Sequence, residues 1–486
     1  MRKKNTLWAN MKLISLLFLV VFFSTSIFSQ DIKDFIEGMP NQEAFWSINV
    51  LDENGNRLES INEDKLIIPA SNQKLYTLAA VLDRLGSNYR YYTNIYGSDN
   101  VTDSTYYGDI IIRGTGDPSI SGFLYNEDRF HVFSELTKDL KSNGINTITG
   151  SLIGNVSFFD DQVFPLGWDW YDLSFYYGVE IAPLSFNNNT VDLIVRAEGD
   201  VGNKPQIEWF PSNSNYVEFI NEQVITTKGT KYYEDYRKDL GDNSIYLGSK
   251  LPQGYVEKES LAITDAANYF LHSFDAFLNS KGIKTSSSFG IQNYNIPDYW
   301  VNYKVLASHS SKPLSELIKW ANKESDNFYT EMLLKTLAAE ISGIPGTFEE
   351  GIKEVRIFLA EQGLDTNLVK MNDGSGLAMG NYTSTGNIST LLYSMKTHKE
   401  ADVFYNSFPI AGIDGSIAHR FKGTPLYNNV RAKTGYVSGV RTLSGYLNTA
   451  SGKEITFSLA TNHFIGKVSP IDNSHQKILE YLYAKY

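Results

Sequence analysis

Cysteine is absent from the 486-residue chain. That excludes disulfides, thiolate zinc sites, Cys nucleophiles and a lipid-modified N-terminal Cys. Histidine is scarce, at seven residues, and no H-E-x-x-H occurs, so the zinc-protease pattern is missing. Glycine (37) and proline (14) are too few for a collagen-like or low-complexity chain. Positive charge is in deficit: 43 Lys and Arg against 55 Asp and Glu leave a net charge of −12 with no basic block. Nucleic acid is therefore a poor partner. Beyond the N-terminal segment no apolar run is long enough to span a membrane. What remains is a globular composition, 42% hydrophobic and 14% aromatic, with 31 Tyr and 28 Phe. At about 100–200 residues per domain the length suits two to four domains.

Arg2, Lys3, Lys4 and Lys12 precede an apolar run from Leu13 to Phe23, and the small or polar residues Ser24 to Gln30 follow. A basic start, a short apolar stretch and small residues near a cleavage point are the marks of a secretory signal. The run falls short of the roughly 20 residues of a spanning helix. The expectation is a signal peptide over 1–29 cut after Ser29, and an exported, periplasmic protein that is soluble or loosely membrane-associated, with no stable span.

Ala44 to Asn62 reads as a β-hairpin around Glu53-Asn54-Gly55-Asn56. Leu75, Leu78, Ala79, Leu82 and Leu85 then fall at helical spacing, with Ser71 at the start and Gly86 as a stop. Ser71 and Lys74 thus share one helix face. From about 91 to 296 short β-branched runs alternate with Gly, Asn and Asp, and only Phe130 to Lys141 and Ser260 to Leu278 read as helices. Helices return over Leu314 to Ala321, Phe328 to Ile341, Phe348 to Gln362 and Gly386 to His398. A meander follows (Val430 to Tyr436, Arg441 to Thr449, Ile455 to Thr461), and a helix over Ser474 to Ala484 closes the chain. The order suggests an α/β domain split by a long insertion.

Three motifs occur in order: Ser71-Asn72-Gln73-Lys74 (S-x-x-K), Ser325-Asp326-Asn327 (S-D-N) and Lys433-Thr434-Gly435 (K-T-G). One S-x-x-K alone means little. The three together, each in a suitable context, are the set of serine β-lactamases and penicillin-binding proteins. A serine hydroxyl needs a base within hydrogen-bond reach. Lys74 can be that base once its ammonium is deprotonated, favoured by desolvation and by the positive charge of Lys433. Ser325 can relay a proton to the leaving amine, Asn327 can hold the substrate amide and position Lys74, and Lys433 with Thr434 can bind a C-terminal carboxylate. Gly435 leaves room for substrate backbone. The backbone N–H groups of Ser71 and Tyr436 are the expected oxyanion hole.

With Pro69-Ala70, Gly114-Thr115-Gly116-Asp117-Pro118, Phe158-Phe159-Asp160-Asp161 and Asp373-Gly374-Ser375-Gly376-Leu377 added, nearly all of the chain after the signal resembles the low-molecular-mass class C penicillin-binding proteins, exported D-Ala-D-Ala carboxypeptidases/endopeptidases of peptidoglycan. The resemblance implies an α/β transpeptidase domain of the penicillin-binding type, 31–92 plus 309–486, interrupted by a nested β-rich insertion of two small domains, 93–116 with 206–308 and, inside it, 117–205. It implies Ser71 as nucleophile, Lys74 as proton acceptor, peptidoglycan stem peptides as substrate, β-lactam antibiotics as covalent inhibitors and no cofactor or metal. Asp172 matches an Asp that meets the amino end of the substrate's third-residue side chain. Tyr177 is an aromatic wall beside it, and Val437, Ser438 and Leu377 line the substrate site. One departure stands out: where the family often has an Arg, in D-G-S-G-L-S-R, this chain has Met379.

Other residues read as structural. Asp373 breaks a G-x-S-x-G elbow around Ser375, so that run is a turn bordering the site. Gly114-Thr115-Gly116 lacks the third glycine of a dinucleotide loop. His309 reads as a cap or surface residue, and Asp160-Asp161 as a solvated turn. The Trp168-Asp169-Trp170-Tyr171 cluster fits packing or a substrate wall equally. Two alternatives to the peptidase stay open: a serine β-lactamase, although no E-x-x-L-N lies between Asn327 and Lys433, and a non-catalytic peptidoglycan-binding envelope protein.

Overall fold

The computed structural model describes residues 32–40, 42–212, 216–294 and 303–486. The expected signal peptide lies outside them. Strand β1 (Phe45–Leu51) pairs with β2 (Arg57–Ile61) as the expected hairpin. All of β1 after Phe45 is buried, because both faces are covered. Ile48 and Val50 enter an apolar cluster with Ile478, Leu479 and Leu482. On the other face the Ser47 hydroxyl bonds to that of Thr385 (2.7 Å) and the Asn49 amide donates to Ser389 Oγ (2.5 Å). Helix α1 (Lys74–Leu85) follows a 3-10 turn, Ala70–Gln73, and stops at Gly86, whose φ of 76° suits glycine.

The insertion begins with β3 (Tyr92–Gly97) and β4 (Ile110–Arg113), then α2 (His131–Ser142), β5 (Leu152–Asn155), β6 (Thr190–Arg196) and β7 (Gln206–Phe210). After a run of short strands over 218–252 come β8 (Val256–Ala262), α3 (Ala266–Ser280), β9 (Phe289–Gln292) and β10 (Lys304–Ser310). One sheet runs β9-β5-β4-β3-β10 and a second β7-β6-β8. Their shared core gathers Phe133, Phe186, Phe270 and Phe274. Strand pairing cuts across the nested boundaries drawn at 116/117 and 205/206. Strand β5 pairs in parallel with β4, Ile110 opposite Leu152, and β7 pairs with β6, Gln206 opposite Arg196. The sequence pattern could not show this, since it marks strands but not their partners.

Ser260 to Ala262, read as helical, are instead the end of β8, where Ser260 pairs with Asp192. Helix α3 starts only at Ala266, capped by the Asp265 carboxylate on Asn268 N–H. His309 is neither a cap nor exposed. It is buried, its Nδ1 2.7 Å from Glu135 and its Nε2 3.2 Å from the Tyr125 hydroxyl.

Past the insertion come α4 (Leu314–Lys323), α5 (Asn327–Ile341), α6 (Phe348–Glu361) and α7 (Thr385–Met395). Strands β11 (Val430–Val437), β12 (Val440–Asn448) and β13 (Glu454–Asn462) and helix α8 (Ser469–Lys485) complete the chain. The main sheet runs β11-β12-β13-β1-β2, so the last and first strands meet at its centre, with Ile48 opposite Leu459. This mixed α/β architecture places β11 on the sheet edge beside the start of α1. Among the described residues no helix is long and apolar enough to cross a membrane.

Candidate active site

Ser71 sits in the 3-10 turn that leads into α1. Residues three apart eclipse in such a turn, and the Lys74 Nζ donates to Ser71 Oγ at 3.1 Å. The turn is entered through Ala70 at φ 47°, a left-handed conformation uncommon for alanine. The Ala70 carbonyl packs on Gly376, where a Cβ would lie 1.9 Å from that oxygen. The Asp373-Gly374-Ser375-Gly376 run is therefore a structural turn pressed against the serine turn.

Lys74 is fully buried. Besides Ser71 its Nζ donates to Asn327 Oδ1 (2.5 Å) and to the Ser375 carbonyl (2.8 Å). Ser325, also left-handed at φ 60°, connects α4 to α5. Asp326 caps α5 by accepting from Tyr329 N–H (3.0 Å), and also receives Trp320 Nε1 (3.1 Å) and Asn188 Nδ2 (3.2 Å). That cap fixes Asn327, whose amide nitrogen donates to the Tyr177 carbonyl at 2.9 Å. The inserted segment is thereby tied to the site.

On the third wall Lys433 Nζ donates to Ser325 Oγ (2.7 Å) and to the Thr434 carbonyl (2.8 Å). Asn72 holds this strand against the serine turn by donating to the Lys433 carbonyl (3.1 Å). A Cβ on Gly435 would lie 2.2 Å from Thr442 Oγ1 and 3.0 Å from Ser71 N. The glycine thus lets the strand approach the Ser71 backbone, a tighter demand than room for substrate alone. Tyr436 follows, its ring exposed. Thr434 Oγ1 is paired with Ser416 Oγ at 2.9 Å.

Burial pushes the Lys74 amine down to about 8, against the opposing pull of Asp373, Glu331 and Asp326. Of the two expected causes, desolvation drives the shift and the charge of Lys433 does not. Lys433 is itself pushed well below the usual lysine range, first by burial and then by Lys74 and Arg441. An arriving carboxylate would restore its charged form.

Asp172 opens a 3-10 turn, Asp172–Ser174, and is half-buried. Burial, then Asp169, raises its carboxyl, while a hydrogen bond with Tyr177 holds it down. The Tyr177 ring stacks on Phe175 at 5.7 Å. Leu377 and Val437 are half-buried, Val437 against Ile68, Ala70 and Val440, and Ser438 is exposed beyond the strand end. Met379 is exposed. Neither nearby arginine is idle: Arg441 Nε is held by Asp472 at 2.7 Å, and Arg431 lies over the Tyr405 ring. Trp168 Nε1 donates to Asp373 (2.9 Å), whereas Trp170 is open to solvent, so the cluster divides between packing and surface. Asp160 is no free turn acid, since it binds the buried Lys335 Nζ at 2.5 Å.

The roles of Asn72, Ser416 and the Ser375 carbonyl went unread. Asn72 lies inside the S-x-x-K motif at a position where any residue is allowed. Ser416 has no local signal, being 18 residues from Thr434. A carbonyl carries no residue-type signal at all.

A model of the D-Ala-D-Ala carboxypeptidase 3 (S13) family matches residues 28–480. The chain belongs to that family. It is a serine-type D-Ala-D-Ala carboxypeptidase, a hydrolase acting on peptidoglycan. It is 29% identical over 452 residues to a D-alanyl-D-alanine carboxypeptidase of Actinomadura sp. (strain R39), covering 90% of this chain and 81% of that one. To the D-alanyl-D-alanine carboxypeptidase DacB of Haemophilus influenzae it is 26% identical over 451 residues, 90% of each chain. The crystal structure of penicillin binding protein 4 (dacB) from Haemophilus influenzae superposes with a TM-score of 0.79 at 25% identity, over 93% of this chain and 99% of that one.

Proposed function

We propose that this carboxypeptidase works through an acyl-enzyme on Ser71. The observation that carries the reading is the Lys74 Nζ, buried, 3.1 Å from Ser71 Oγ and held from its other side by Asn327. Neutral Lys74 takes the Ser71 proton as Oγ attacks the carbonyl carbon of the penultimate D-Ala. The oxyanion meets the N–H groups of Ser71 and Tyr436. Lys433 and Thr434 hold the terminal carboxylate, and the proton passes through Ser325 to the leaving amine, releasing D-Ala. Water then cleaves the ester, with Lys74 as base, and restores the hydroxyl. Penicillins present a similar carbonyl and carboxylate and acylate Ser71. The same site cuts D-Ala cross-links to a diamino acid, an endopeptidase action. Asp172, Tyr177, Leu377, Val437 and Ser438 line the stem-peptide subsite.

The N-terminal segment 1–29 is read as an export signal to the periplasm. For the insertion, strand pairing favours dividing it by sheets: β3, β4, β5, β9 and β10 in one body, and β6, β7 and β8 in the other.

Purified protein incubated with a labelled penicillin and, separately, with a D-Ala-D-Ala peptide tests the reading. The expected results are a slowly lost adduct on Ser71, released D-Ala, and neither from Ser71→Ala. Labelling mapped to another serine overturns the assignment. Rapid penicillin turnover points to a β-lactamase.

A further inference from the structure

Helix α5 delivers more than Asn327 to the site. Glu331 is one turn further on, and residues four apart share a helix face. Its carboxyl is completely buried. Gly374 N–H donates to both of its oxygens at 3.0 Å, and Ser375 N–H to one of them at 2.7 Å. The Ser375 carbonyl, at the far end of the same residue, accepts from Lys74 Nζ at 2.8 Å. Position 374 has little room for a side chain: a Cβ there would lie 3.1 Å from Leu334 Cδ2 and 3.3 Å from Glu331 Oε2. Thr77 secures the turn from α1 by donating to the Gly374 carbonyl at 2.8 Å.

We propose that Glu331 is a positioning residue for Lys74, clamping the Gly374–Ser375 backbone so that the Ser375 carbonyl and Asn327 fix the amine at Ser71. One helix thus supplies both anchors, Asn327 directly and Glu331 through a turn more than forty residues away in sequence. A buried carboxylate with two backbone donors is a rigid clamp, because releasing either N–H would leave it unpaired. When ionised, Glu331 also favours the Lys74 ammonium, while burial and then Asp373 raise its own carboxyl to about 8. The other charged groups around the pair are Asp373 from the turn, Asp326 and Lys335 from α5, and Lys433 from β11.

The inference rests on Lys74 being the base of acylation, so Lys74→Ala is measured beside the Glu331 variants. In the full chain, the rate of penicillin acylation and its pH profile are followed for Glu331→Gln and Glu331→Ala, with thermal unfolding as the check on folding. Glu331→Gln keeps the shape and one acceptor oxygen but removes the charge. Its acid limb is expected to move to lower pH over the range, around pH 8 and above, where Glu331 is ionised and a negative neighbour of the ammonium is lost. Glu331→Ala releases the turn, and its maximal acylation rate is expected to fall at least tenfold, with the concentration for half-maximal rate little changed. A folded Glu331→Gln with an unmoved acid limb and an unchanged rate overturns the proposal, whether or not Glu331→Ala folds. If Lys74→Ala acylates normally, the base assignment fails instead, and the two failures are distinct.

Discussion

The buried wall that carries the three motifs and the inserted wall bonded to it are built differently. The cluster of Ser71, Lys74, Ser325, Asn327 and Lys433 is set among helices and the sheet edge, and both lysines are wholly buried, each with at least two hydrogen-bond partners. The inserted wall near Asp172 is open: Trp170 is 72% exposed and Tyr176 57%. Its tie to Asn327 is a backbone one, through the Tyr177 carbonyl. The difference fits the role proposed for each wall. Proton transfer needs an amine neutral near working pH, and burial is what lowers this lysine. Recognising a long, charged stem peptide needs surface that water and substrate can both reach.

The sharpest break of this contrast comes from Lys74. Lys74→Ala is expected to slow both penicillin acylation and D-Ala release by about 10²–10⁴-fold. Its pH dependence has a definite sign. Burial pushes this amine down to about 8, below the ordinary 10.5, and in the proposed mechanism the neutral form is the reactive one. Log kcat/KM should rise with slope one toward pH 8 and level above it. A profile flat from pH 6 to 9 would remove Lys74 as the base.

The open wall should give a smaller effect. Acetylating the side-chain amine of the stem peptide's diamino acid, or replacing Asp172 by Asn, is expected to lower kcat/KM by roughly ten- to a hundredfold, the worth of a charge-assisted hydrogen bond of about 1.5–3 kcal/mol. Acylation by a penicillin lacking that side chain should hardly change in Asp172→Asn. If the variant loses penicillin acylation as well, the two walls are not separable in function.

The smallest effect concerns Met379, exposed at the position where the resemblance leads us to expect an Arg. Arg441 is engaged with Asp472 and Arg431 with Tyr405, so neither is a free replacement. Peptides with a free and an amidated side-chain carboxylate should differ in kcat/KM by less than tenfold, about 1.4 kcal/mol. A larger preference for the free acid would show that another cation serves that carboxylate.

Much of the buried wall was legible because its motifs are local. Ser71 and Lys74 are three residues apart, Ser325 and Asn327 two, and Lys433 to Gly435 contiguous, so local geometry orients each set. The helices after the insertion were equally legible from their apolar spacing. The illegible parts are those whose signal is non-local. Ser260 to Ala262 carry helix-compatible residues but are claimed by pairing with β6. The partner of β5 is β4, across a boundary that the resemblance implied. His309 reads as a surface residue until Glu135 and Tyr125 enclose it. Glu331 looks like one more acid on a helix until the turn at Gly374 folds onto it.

By itself the sequence determined the chemical vocabulary of this protein: a serine with a lysine one turn on, a second serine and an amide, a lysine and a glycine on a strand, and no thiol to offer another nucleophile. Residue type and short spacing suffice for that, because they need only the local geometry of helix and strand. Only the tertiary structure decided how those groups behave. It closed the 254-residue separation of Ser71 and Ser325, paired the first and last of the described strands at the centre of one sheet, and buried Lys74 among acids. Desolvation depends on everything packed around a group and on nothing in its own sequence neighbourhood, which is why the proton affinity of the lysine was decided last.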